Sequence, residues 1–256
     1  AQEACKGVDY VLHQASIPSV PRSLRDPLAS LHSTVTATVS LLQAAQKAGV
    51  KRVVQAGSSS VYGDSENLPK REDMLPQPLS PYAAAKISQE YYAAAFSRCF
   101  GIDTVSLRYF NVFGPRQDPT SEYAAVIPKF ISLMLANKSP VIYGDGLQSR
   151  DFTYVDNVVE GNLLAALRPE PFGGEAINLA CGVRFTLLEL VGTINRLLGL
   201  DIKPIHSEPR RGDVRHSQAD IGKARNLLGF SPLVDFAEGL RRTVAWHRQR
   251  MTGGRR

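Results

Sequence analysis

Tyr82 and Lys86 stand four residues apart in the run SPYAAAK, where alanines favour a helix, so both side chains project from one helical face. A phenol beside an ammonium is an arrangement with acid–base use. An isolated tyrosine titrates near ~10, so a phenolate base working near neutrality requires a depression of roughly 3 pH units, or about 4 kcal/mol. A neighbouring positive charge in a partly dry cleft is expected to supply it, because it favours the phenolate. Upstream, SSSVYG places the hydroxyls of Ser58, Ser59 and Ser60 in a row, and Ser58 could relay or share the proton.

These groups need elements to hold them. Arg52 to Gly57 (RVVQAG) reads as a buried strand that delivers Ser58 to the edge where a parallel α/β sheet presents its active groups. Ser80 is a helix cap with Pro81 at the first helical position, which starts a helix at Tyr82. Tyr91, Tyr92 and Phe96 on that helix read as packing residues. Earlier, Val8 to Leu12 reads as a strand, Ser16 to Pro27 with its three prolines as a loop, and Leu28 to Ala48 as a helix that Gly49 ends. Thr104 to Leu107 is a further strand leading into RYFNVFGP. Beyond Gly114 the reading is a helix over Glu122 to Asn137, a strand over Val141 to Tyr143 and an alternating strand after Arg150. Helices over Phe185 to Leu198, Asp220 to Leu228 and Phe236 to His247 complete it. Trp246 and His247 are expected to pack rather than to bind a ligand.

Length and an apolar fraction of 43% fit a chain with a sizeable core. The net charge of +6 is modest, and much of the basic excess falls near Arg241, Arg242, Arg248, Arg250, Arg255 and Arg256. Without interleaved aromatics that pattern gives no case for nucleic acid. Cys5, Cys99 and Cys181 are odd in number and far apart, which points to a reducing, cytoplasmic setting without a disulfide framework or a cysteine-held metal. No apolar run is long enough to span a membrane.

Taken together, VLHQA, SSSVYG, SPYAAAK, RYFNVFGPR, RDFTYVD and GDVRHSQADIGKA resemble the extended short-chain dehydrogenase/reductases, most closely the UDP-N-acetylhexosamine 4-epimerases. The resemblance runs in order along nearly the whole chain. It implies an α/β fold: a Rossmann-type doubly wound parallel sheet lacking its first strand-helix units, and a smaller α/β substrate-binding domain. Residues 1–114 would be the remainder of the NAD-binding domain, and 115–256 mainly the nucleotide-sugar domain, with segments free to return to the sheet. The glycine-rich G-x-G-x-x-G turn that cradles a dinucleotide pyrophosphate does not occur in these residues, nor does its acidic ribose partner, so impaired activity of the chain alone is expected.

The resemblance further implies NAD held by Gln14, Ala15, Tyr82, Lys86 and Tyr109, and catalysis by Ser58, Tyr82 and Lys86. A UDP-sugar would meet Ser19, Ser59, Asn111, Ala125, Tyr143, Arg150, Arg210, Asp213 and Ser217. Arg150 and Arg210 would clamp the diphosphate, each charge-assisted contact contributing roughly 1.5 to 3 kcal/mol. A small Ser217, where relatives restricted to plain hexoses carry a bulky aromatic, would leave room for a 2-acetamido group. The reaction implied is oxidation at the sugar C4, rotation of the 4-keto sugar and reduction on its other face, in a homodimer joined by a four-helix bundle. A role in surface polysaccharide precursors would follow from the family. Thr34-Val-Thr-Ala37 departs from the family's Asn-x-x-Gly, and Ser59 and Ser60 stand where sugar dehydratases and decarboxylases carry acids. UDP-glucose or UDP-glucuronate epimerisation, and a nucleotide-sugar binding fragment without catalysis, are the alternatives.

Overall fold

The computed structural model describes residues 1–120, 125–209 and 214–253, with side chains through Met251. Four parallel strands form its main sheet in the order β1 (Tyr10–His13), β2 (Arg52–Ser58), β3 (Asp103–Tyr109) and β4 (Glu175–Leu179). Helices cover both faces, which is why β2 and β3 read as continuous apolar runs rather than alternating ones. Val53 packs on one side with Leu42 of α1 (Ala37–Lys47) and with Ala93 and Phe96 of α2 (Pro81–Phe100). Val54 turns to the other side and meets Val105, Ile177 and Leu179, under Val158, Ala165 and Ala166.

A second core lies beyond β3. Phe113, Phe152 and Phe236 stack or meet edge to face among Ile127, Phe130 and Met134 of α3 (Val126–Leu135) and Leu190 of α5 (Leu187–Leu198). Between these helices the chain enters α4 (Val155–Leu167), which packs back on the main sheet with α6 (Gly222–Leu228), while α7 (Phe236–Gly253) closes the second core. Short strand pairs bind this half: Val141–Tyr143 with Ile205–Ser207, Ser149–Arg150 with Phe185–Thr186, and Val112–Phe113 with Thr153–Tyr154. Among the described residues no helix is long and apolar enough to cross a membrane, and no cluster of three metal-ligating side chains occurs.

The α/β doubly wound sheet matches the sequence expectation, with local differences. The stretch read as a loop over Ser16 to Pro27 contains a helix, Val20–Arg25, because Ser19 accepts a bond from the Arg22 N–H at 3.2 Å and Pro21 sits in the first turn, where its missing N–H costs nothing. The helix read over Leu28 to Ala48 is one run interrupted by a π turn at His32–Thr36. The helix read from Glu122 starts at Val126; residues 121–124 lie outside the described ones. The alternating strand after Arg150 is two pieces of two residues each. Tyr91 and Tyr92, expected to pack, are 61% and 45% exposed, and only Phe96 turns inward.

Arg52 shows how distant segments complete one another. Its buried guanidinium donates Nη1 to the carbonyls of Ala165, Ala166 and Arg168 at 2.9, 3.2 and 2.6 Å and Nη2 to that of Glu170 at 2.9 Å. Nε pairs with Asp103 of β3. Carbonyls of the last turn of α4 and of the segment that follows it are thus satisfied by a cation from β2, which also suits the helix dipole. Arg52→Met is expected to lower the stability of the chain by about 3 to 5 kcal/mol, because the buried Ala165 and Ala166 carbonyls lose their side-chain donor and the Asp103 carboxylate loses its cation, keeping only the Phe172 and Gly173 N–H groups. Urea unfolding would show a lower midpoint at unchanged slope; an unchanged midpoint would mean that water replaces the guanidinium.

Candidate active site

Ser58 ends β2 and caps a 3₁₀ turn over Ser59–Tyr62, its Oγ accepting from the Ser60 N–H at 3.2 Å and bonding the Ser60 hydroxyl at 2.8 Å. Gly63 follows at φ 63°, where any Cβ would run into the Gln77 carbonyl, so the chain must leave the turn through a glycine. Ser80 caps α2 by accepting from the Ala83 N–H at 3.2 Å, with Pro81 in the first turn. The N–H of Tyr82, one of the helix's orphan donors, bonds the buried Ser23 hydroxyl at 3.0 Å, so helix Val20–Arg25 fixes where α2 begins.

The pKa of the Tyr82 phenol is pushed up, chiefly by burial, and the Ser58 side chain opposes this only in part. A phenol lowered by a neighbouring Lys86 is therefore not what the resting chain holds. The reason is geometric: the Lys86 ammonium, 2% exposed, donates to the Ala56 carbonyl of β2 at 2.7 Å and to Gln89 Oε1 at 3.1 Å. Burial brings its own pKa down to about 8, with Glu90 acting against that. His13, at the end of β1, bonds Thr38 Oγ1 through Nε2 at 2.9 Å and is lowered to about 4 by burial and by Lys86.

Beside this group, Tyr109 at the end of β3 donates to Gln14 Oε1 at 3.0 Å, and the Gln14 amide donates to Asn162 Oδ1 at 3.0 Å. Asn162 of α4 closes the ring, donating to the Tyr109 oxygen at 2.8 Å. Sequence reasoning missed Asn162, which lies in the middle of a helix with no motif to mark it. Gln14 and Ala15 are exposed, at the carboxyl end of β1.

A cleft of about 410 Å³ opens between the sheet edge and the second core, and Ser19, Asn111, Ala125, Tyr143 and Arg150 all line it. Gln148 and Lys129, not singled out from the sequence, line it too. Asn111 sits at φ 35°, a conformation asparagine tolerates better than most side chains, and its amide reaches the Asp151 carbonyl at 3.4 Å. Arg150 donates to the carbonyls of Ser149 and Arg215 at 3.0 and 3.1 Å. Ser217 is not in the lining; it is buried, its N–H bonded to the Ser149 carbonyl at 3.0 Å. Ser58, Ser59, Tyr82 and Lys86 lie outside the lining as well, and Ser59 is half-buried in the 3₁₀ turn. Arg210 and Asp213 fall outside the described residues.

Asp151 is a further residue that sequence reasoning passed over. Fully buried, it accepts the N–H groups of Cys181, Gly182 and Ala219 at 3.1, 2.9 and 3.2 Å. Burial still pushes its carboxyl up to about 6 against those three bonds. The Arg150 strand, the end of β4 and the segment after His216 are joined through this one carboxylate.

Known proteins share this fold. The model of the NAD dependent epimerase/dehydratase family matches residues 1–180. A putative UDP-glucose 4-epimerase of Methanocaldococcus jannaschii is 38% identical over 242 residues, covering 94% of this chain and 77% of that protein. The structure of UDP-N-acetylglucosamine 4-epimerase from Methanobrevibacter ruminantium in complex with UDP-N-acetylmuramic acid superposes with a TM-score of 0.94 at 44% identity, covering 98% of this chain and 80% of that one. UDP-glucuronic acid 4-epimerase from Bacillus cereus, in complex with UDP-glucuronic acid and NAD, gives a TM-score of 0.90 at 32% identity, with coverage of 97% and 78%. A family model spanning well over half of the chain, and relatives of this identity and coverage, establish that the chain belongs to the NAD dependent epimerase/dehydratase family.

Proposed function

We propose that this chain is a UDP-sugar 4-epimerase that uses Ser58, Tyr82 and Lys86, with UDP-N-acetylglucosamine and UDP-N-acetylgalactosamine as the sugar pair. The observation that carries the reading is the seating of the Tyr82 helix start against the carboxyl end of β2, where Lys86 bonds the Ala56 carbonyl at 2.7 Å and Ser58 acts on the Tyr82 phenol. The cleft that gathers Ser19, Asn111, Ala125, Tyr143 and Arg150 supports a nucleotide-sugar ligand. The N-acetylhexosamine choice draws on the 44% identical epimerase. UDP-glucose and UDP-glucuronate, the sugars of the other relatives, are the competing substrates.

The residues at this edge fit the nicotinamide end of NAD. Lys86 uses two of its three N–H donors on Ala56 and Gln89, Gln14 and Ala15 stand exposed just past the end of β1, and Tyr109 is braced by Gln14 and Asn162. The chemistry that NAD supplies when bound is acceptance and return of a hydride at the sugar C4. Tyr82 would take and return the proton of the 4-hydroxyl, and Ser58 would share it. Arg150, with Arg210 in the same role, would hold the diphosphate while the sugar turns. A dimer belongs to the same reading, and the exposed side chains of Leu28, Leu31, Tyr91 and Tyr92 on neighbouring helices offer it apolar surface.

The test is interconversion of UDP-N-acetylglucosamine and UDP-N-acetylgalactosamine by the purified chain with added NAD, beside UDP-glucose and UDP-glucuronate. Tyr82→Phe is expected to lower kcat by about 10² to 10⁴ while leaving UDP-sugar binding within a few-fold. Full activity of that variant would overturn the role of Tyr82, and binding without turnover by the unaltered chain would favour a nucleotide-sugar binding fragment. Arg150→Gln is expected to weaken UDP-sugar binding by roughly 10- to 150-fold, as for a lost charge-assisted bond of roughly 1.5 to 3 kcal/mol, and calorimetry showing unaltered affinity would remove Arg150 from the clamp.

A further inference from the structure

We propose that Glu90 is a positioning residue for Lys86: a buried carboxylate, one helical turn further along α2, that keeps the ammonium charged, and that is itself held in place by Arg108. The significance of this for catalysis rests on the role proposed above for Lys86. The electrostatic arrangement stands on its own geometry.

Lys86 and Glu90 are four residues apart on α2, so they share a face, and both are buried against the sheet. The acceptors that the Lys86 ammonium bonds directly, Ala56 O and Gln89 Oε1, are neutral. Glu90 is the carboxylate on the same buried face, one turn along the helix, and its oxygens are bonded by Arg108 rather than by the ammonium. The other titratable groups around the pair are His13 on β1, a neutral ring bonded to Thr38, Tyr82 at the start of α2, and Arg108 on β3 with Tyr62 behind it.

Arg108 grips the Glu90 carboxylate with Nε at 3.2 and 3.1 Å from its two oxygens and Nη2 at 2.8 Å from Oε2, both side chains 5% exposed. Its remaining Nη1 bonds the Tyr62 hydroxyl at 2.9 Å, and Tyr62 donates to Asn178 of β4 at 2.6 Å. A forked donor is what this geometry needs, and a lysine at 108 could not supply it. The strand makes room as well: a Cβ on Gly57 would fall 3.1 Å from Glu90 Oε1 and 3.0 Å from the Leu107 carbonyl. The glycine immediately before Ser58 thus clears a space that the carboxylate fills. A salt bridge serving only to fasten α2 to β3 would need Arg108 and Glu90, but it would not need Lys86 to respond to them.

The sign of that response follows from burial. Burial favours the neutral amine and brings Lys86 down to about 8, and the Glu90 charge acts the opposite way. Removing the charge should therefore make the ammonium lose its proton at still lower pH, shrinking the charged range from its alkaline side.

The experiment is a ¹³C NMR titration of the lysine-labelled chain, with the Lys86 signal identified by its loss in Lys86→Met. The expected midpoint is about 8 in the unaltered chain, lower by about one pH unit or more in Glu90→Gln, and closer to the original in Glu90→Asp, which keeps the charge. A midpoint in Glu90→Gln equal to or above that of the unaltered chain overturns the proposal. Because Glu90→Gln leaves Arg108 buried without its partner, the pair Glu90→Gln/Arg108→Gln is titrated as well; loss of the Arg108 cation acts upward on Lys86, so a smaller downward movement is expected there, and none at all overturns the proposal. The unaltered chain supplies a test that needs no variant: the Glu90 carboxyl, followed by ¹³C labelling, must be ionised at pH 7, and a protonated Glu90 overturns the proposal outright. None of these readings needs turnover. An epimerase assay that fails while Lys86 responds to Glu90 defeats the proposed function alone; turnover with an unresponsive Lys86 defeats this inference alone.

Discussion

The hydrogen bond from the Lys86 ammonium to the Ala56 carbonyl sets how α2 lies on β2, and the site depends on that register. Ala56 is two residues before Ser58, and Lys86 is four after Tyr82. Fixing the first pair at 2.7 Å leaves the second pair little choice but to meet. Everything around the bond opposes slippage: Ser80 and Ser23 fix where the helix starts, and Arg108 clamps Glu90 one turn later. A buried ammonium is costly unless it is paired and hydrogen-bonded, so this register is favoured by the same interactions that make the burial tolerable.

The second half of the molecule is joined to the first by the same kind of device, a buried ion that satisfies backbone groups from distant segments. Arg52 completes the end of α4 with four carbonyl contacts, and Asp151 gathers three N–H groups from the end of β4 and the segment after His216. Asp151 adjoins Arg150, so the cleft wall is anchored to the sheet edge by the residue next to its main cation. The helix Val20–Arg25 does similar work on the opposite wall, with Ser19 in the cleft and Ser23 on the Tyr82 backbone. The cleft and the Tyr82 turn are therefore held in a fixed relation through one short helix.

What could be read from the sequence is what is local. The Ser80–Pro81 start of α2, the apolar run of β2 and the glycine stop after α1 each rest on neighbours in the chain, and each is found within a residue or two. What could not be read is what depends on partners far away. α4 starts at Val155, its N-cap Tyr154 making no side-chain cap bond, and its other end is finished by Arg52, more than 100 residues earlier in the chain, so no local signal marks either boundary. Spacing placed Tyr82 and Lys86 on one helical face, but it could not say that the ammonium turns to a strand carbonyl. The residues lining the cleft were named by resemblance to a family rather than by any periodicity, and Asp151 and Asn162, whose value lies in the backbone and side chains they brace, carried no pattern at all.

That turn of Lys86 changes the electrostatic logic of the site. If the ammonium lay against the phenol, its charge would lower Tyr82 directly. Here burial moves the two groups in opposite directions, the phenol upward and the ammonium down to about 8, so the lysine is the stronger acid of the two. Between that value and the range of the phenol, the resting pair is a protonated tyrosine above a neutral amine. Any positive potential that Lys86 offers at neutral pH is therefore held on a narrow margin. The width of that margin is set from behind, by the carboxylate of Glu90 and the guanidinium that keeps it there, rather than by contact between tyrosine and lysine.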